Sequence, residues 1–230
     1  MRRLCWVLGA ALAACKGPPD KTTEVQPISL GLPEALQKRP SVQLVRRTNR
    51  NIAIWQELMI QGRPDQARSL ALAIGKTVDE NFEVFVRVAR TGEMTTLRNQ
   101  AIKCVSYSRE HRDEARRLLE EFLGDPTSAL AANAARGLGL LKDPRTDLAP
   151  LIALLARGDR NVRTNAAHAL KELFLVKPTP EVLTPQYRVA LDRLAAMASE
   201  RTNTRGRRAA VWALANLRHP EALDHLIDAL

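Results

Sequence analysis

Few thiols and imidazoles are available here as nucleophiles or metal ligands. They are Cys5, Cys15 and Cys104, with the histidines His111, His168, His219 and His225. No two histidines stand three or four residues apart, and neither His-Glu-x-x-His nor Cys-x-x-Cys occurs, so no zinc or redox site is spelled out. A glycine-rich phosphate loop and a Gly-x-Ser-x-Gly elbow are also missing. This reading assigns no catalytic residue, no metal ligand and no cofactor. Cys104 takes a helical position that Ala73, Gly137, Ala169 and Ala213 take elsewhere, which makes it a small packing residue.

Cys15 is different. Arg2 and Arg3 precede an apolar run from Leu4 to Ala14, and small residues stand just before the cysteine. That is the layout of a secretory signal. A bilayer-spanning helix needs roughly 20 apolar residues, so this run is too short for a permanent span. Gly17-Pro18-Pro19 would stop any helix at once. Leu12-Ala13-Ala14-Cys15 resembles the bacterial lipobox. The resemblance implies cleavage before Cys15, diacylglycerol on its thiol and acylation of the new N-terminus. Lys16 follows, not Asp, and by the same resemblance the outer membrane is preferred. Cys104 is then the only unmodified thiol of the mature chain. The expected organisation is a signal peptide over 1–14, a lipidated cysteine with a proline-rich tether over 15–40, and a folded domain over 41–230.

The elements of that domain repeat. "LRNQAIKCVSYS", "LAANAARGLGLL", "VRTNAAHALKEL" and "GRRAAVWALANL" share apolar or small residues at i, i+4, i+7 and i+8, one face of a helix. "QARSLALAIGK" fits more loosely. The i+8 residues stand at 74, 105, 138, 170 and 214, nearly evenly until the proline-rich "VKPTPEVLTP" lengthens the last interval. A second amphipathic helix precedes each one, from "IAIWQELM" to "VALDRLAAMA", and "PEALDHLIDAL" closes the chain. The pattern predicts an all-α fold, an α-solenoid of five helix pairs plus a terminal helix.

The stretch "LIALLARGDRNVRTNAAHAL" resembles the HEAT repeat, particularly its short PBS-lyase-like form. The resemblance covers about 41–230 and is strongest after Asp125. It implies that Arg98, Arg163 and Arg207 are structural, with Asp159 of the inter-helix turn as the partner of Arg163. It also implies that the second helices line a concave surface. The i+2 and i+6 positions face away from the core, so the concave candidates for binding are Arg68, Lys103, Arg136, His168, Arg208 and Trp212. Arg and Trp are favoured anchors at protein interfaces.

The formal net charge is +10, which favours anionic partners. The expected role is a lipid-anchored scaffold of the bacterial envelope that binds a protein partner, without catalysis. Binding of an anionic polymer or lipid headgroup is the alternative. A lyase or a DNA glycosylase on the same fold suits the envelope less, because chromophore proteins and chromosomal DNA are elsewhere. No nucleic-acid partner is expected.

Overall fold

The computed structural model describes residues 39–228, except 178. The signal segment, Cys15 and nearly all of the tether lie outside the described residues. The described helices belong to one compact unit spanning Ala35–Leu230. Among the described residues there are eleven helices and no strand. In chain order they are α1 (Pro40–Ile60), α2 (Pro64–Glu80), α3 (Phe82–Thr91), α4 (Thr95–Val105), α5 (Arg112–Leu123), α6 (Ser128–Leu141), α7 (Leu148–Leu154), α8 (Arg160–Leu173), α9 (Pro185–Ala198), α10 (Thr204–Leu217) and α11 (Pro220–Asp228).

Local chemistry sets the helix ends. Proline opens α1, α2 and α9, where its missing N–H costs nothing. Asp159 caps α8 by accepting from the backbone N–H groups of Asn161 and Val162 at 2.8 and 2.9 Å. Asn203 caps α10 through Gly206 N–H at 3.0 Å. Helices α6 and α10 stop at Lys142 and Arg218, which adopt left-handed backbone angles with φ of 49° and 53°.

The helices form two rows. α1, α4, α6, α8 and α10 stack on one another in that order. α3, α5, α7 and α9 each back the helix that follows them, and α11 packs on α10 and α9. Small residues set the spacing of the first row. A Cβ on Gly139 would lie 2.8 Å from Ala169 Cα, so α6 and α8 approach almost backbone to backbone. One on Gly137 would lie 2.3 Å from Ser106 Oγ. Ala134, Ala166, Ala169, Ala210 and Ala213 are fully buried, with Leu138, Leu170 and Leu214 filling the space between rows. Truncating one of these leucines to alanine costs about 2–5 kcal/mol, by lost apolar burial and the cavity left behind.

Three sequence expectations need correction. The opening pair is reversed: α1 stands in the stacked row against α4, and α2 packs on the side of α1. Ala73 is accordingly exposed, although Ile74 beside it is buried. The i+2 row does not face outward throughout, because Ala132 and Thr164 are buried in the close helix contacts. Arg163 does not turn back to Asp159, whose carboxylate is used as a helix cap. It pairs with Glu200 at the end of α9. The proline-rich insertion is held against the last helices: Thr179 Oγ1 donates to Leu217 O at 2.6 Å, and Leu183 is buried.

Candidate binding groove

The stacked row sorts its charges. Helices α4, α6, α8 and α10 carry a single acid, Glu172, against nine arginines and lysines. Several of these cations are used within the fold. Arg98 pairs with Asp125 at 3.5 Å, donates to Ala89 O at 2.9 Å and lies over the Phe122 ring. Lys171 meets Glu172 at 2.7 Å. Lys103, Arg136, Arg205 and Arg208 have no ion pair and no side-chain hydrogen bond among the described residues.

Three of those four line an open groove of about 710 Å³ that crosses all five stacked helices. Its α1 end is apolar, with Trp55, Met59 and Ile60. Met59 and Ile60 are 53% and 81% exposed, and Trp55 is braced edge-on by Tyr107 with ring centres 5.8 Å apart. Its middle is a run of carboxamides: Asn99 and Gln100 on α4, Asn133 on α6, Asn161 and Asn165 on α8. Asn133 Nδ2 donates to Asn99 Oδ1 at 2.6 Å, which joins neighbouring helices across the groove floor. Asn165 Nδ2 donates to Asn161 O and Oδ1 at 3.0 and 3.1 Å. Lys103, Arg136 and Arg205 are interleaved with these amides.

The cations feel each other. Burial lowers the Lys103 pKa, Cys104 opposes the shift in part, and the Arg136 guanidinium adds a smaller lowering. Burial also brings His168 down to about 4, with Lys171, Arg136, Arg205 and Arg208 adding to the shift. The imidazole is therefore neutral at physiological pH, inside a ring of positive charge. Burial pushes the Cys104 thiol up to about 12, so it stays protonated. Among the described residues, no group of three His, Cys, Asp or Glu could hold a metal ion.

Of the residues singled out in the sequence, Lys103 and Arg136 line the groove, and His168 and Arg208 stand within the same positive field. Trp212 is on α10 and 57% exposed, but does not line the groove. Arg68 is a correction. It is exposed on α2, outside the stacked row, because the opening pair is reversed. The carboxamide run and Trp55 went unrecognised. The signal was present at i+3, where Gln100, Asn133 and Asn165 recur, one position beyond the rows that were read.

This arrangement is a repeat solenoid with an open groove along one helix row. The HEAT-repeat family model matches residues 115–185, and the PBS lyase HEAT-like repeat model matches residues 206–230. Across these stretches the chain is similar to HEAT repeats. A designed armadillo repeat protein, solved in complex with peptide (KR)4, aligns with a TM-score of 0.50 at 15% identity, over 83% of this chain and 88% of its own. That likeness establishes the repeat-solenoid fold. No curated protein matches the sequence. Among the described residues, no helix is long and apolar enough to cross a membrane.

Proposed function

We propose that the chain is a lipid-anchored scaffold of the bacterial envelope, held by Cys15 with the outer membrane preferred, and that it binds an extended segment of a protein partner without catalysing a reaction. The observation that carries the binding role is the groove. It is long, open and floored by carboxamides. Each carboxamide offers both a donor and an acceptor, which matches the N–H and C=O of an extended peptide backbone. The related solenoid fold of the designed armadillo protein accommodates a peptide, which supports a groove of this kind. The anchoring rests on Leu12-Ala13-Ala14-Cys15 after a charged, apolar leader.

Two experiments test the reading. A photo-crosslinking residue at Gln100 should trap envelope proteins, while the same residue at Arg188, exposed on α9, should trap none of them. Equal trapping at both positions would reject the groove. Mass spectrometry of the mature chain should find an acylated Cys15, and a Cys15→Ala protein should leave the membrane fraction. A Cys15→Ala protein that still sediments with membranes would reject the anchor.

A further inference from the structure

We infer that the segment seated in this groove is acidic, with carboxylates at alternate positions and an apolar side chain at the end that reaches α1. The inference rests on the groove reading above and adds the chemistry of the occupant. Lys103 and Arg136 are half-buried and, like exposed Arg205, have no acidic partner among the described residues. Several cations elsewhere on the molecule are paired, as with Arg90 and Glu121 at 2.8 Å or Lys142 and Glu172, while others such as Arg188 stand exposed to water. Mutual repulsion in a partly desolvated groove costs free energy that an anionic ligand would recover.

The spacing favours a strand. Neighbouring helices lie roughly 8–10 Å apart. Alternate side chains of an extended chain repeat about every 7 Å on one face. A segment crossing the stacked row can therefore present one carboxylate to Lys103 on α4 and another to Arg136 on α6. On α8 the lining is Asn161 and Asn165, which interrupts the series of cations, and Arg205 resumes it on α10. At the other end Trp55, Met59 and Ile60 offer apolar surface and no cation. A phosphate or sulfate polymer has nothing apolar for that end, so the mixed lining favours protein over polyanion.

Selection of displayed random peptides on the immobilised full-length chain tests this directly. The expected consensus carries Asp or Glu at alternate positions with an apolar residue at one end. A synthetic consensus peptide with every Glu replaced by Gln should bind about ten-fold more weakly, and selection on an Arg136→Glu, Arg205→Glu variant should lose the acidic preference. A neutral or basic consensus whose binding is weakened by Asn133→Trp would overturn the acidic inference and leave the groove function standing. No enrichment at all would overturn both. So would heparin, or phosphatidylglycerol vesicles, binding through Arg136 where peptides fail. The Glu-to-Gln comparison uses the unaltered chain, so it decides the question even if a charge-reversed variant misfolds.

Discussion

The junction of α5, α6 and α7 and the groove of the stacked row treat charge in opposite ways. At the junction Asp143 is almost fully buried, yet surrounded by partners. It accepts from the Arg145 backbone N–H at 2.9 Å and from the Arg145 guanidinium at 2.7 Å, with Arg116 at 3.8 Å. Arg145 reaches on to Asp113 of α5, and Arg116 reaches Glu120 at 2.8 Å. These contacts, hydrogen bonding above all, hold the Asp143 carboxyl below its ordinary range. In the groove, Lys103 and Arg136 are also partly withdrawn from water and have no acid paired with them among the described residues. A charge network that is complete within the chain holds repeats together. One that lacks its counter-charge is open to an external anion, as proposed above.

The contrast can be broken at three points. The largest effect is expected between the rows, where neither charge pattern survives without the helix contacts. Ala166→Asp puts an unpaired carboxylate at a fully buried contact and should cost about 3–5 kcal/mol, read by urea denaturation. An unchanged midpoint would mean that the small-residue face is misassigned. Next comes the junction. Asp143→Ala leaves the Arg145 backbone N–H without its acceptor and should cost about 1–3 kcal/mol. A loss no greater than that of an exposed acid such as Asp192 would show that the network is ornamental.

The smallest effect concerns His168. Its folded pKa of about 4 lies below the ordinary 6.5, so between those values the unfolded chain takes up a proton that the folded chain refuses. Stability should fall as pH drops from 6.5 toward 4. His168→Gln should remove that part of the slope, and an unaltered slope would mean that His168 is more open to water than its cationic surroundings suggest.

Much of this was legible in the sequence. The i, i+4, i+7, i+8 pattern gives the helices and their buried face wherever small and branched residues alternate strongly, as in α6, α8 and α10. It misleads in α2, where "QARSLALAIGK" is so rich in Ala and Leu that two faces look alike, and the phase assigned exposed Ala73 to the core. The consequence was functional, because it put Arg68 on the wrong row. Arg98 and Arg163 were read as structural, and they are. The partner of Arg163 was out of reach, since Glu200 is distant in the chain and only stacking brings it near. Arg117 and Glu121 stand at helix-pair spacing, yet Glu121 turns to Arg90 of α3. The lack of counter-charge at Lys103 and Arg136 was likewise hidden, because the chain supplies acids in number and only the fold decides where they go.

The central claim is that charge in the groove serves a ligand while charge elsewhere serves the fold or the solvent. Two reversals of equal size test it most directly: Arg136→Glu in the groove and Arg188→Glu on exposed α9. Titration of a selected consensus peptide at fixed ionic strength should show Arg136→Glu binding about ten-fold more weakly and Arg188→Glu unchanged, with both proteins melting within about 1 °C of the parent. Equal weakening by both would mean that only the net charge of the molecule is felt, and no weakening by Arg136→Glu would contradict the account.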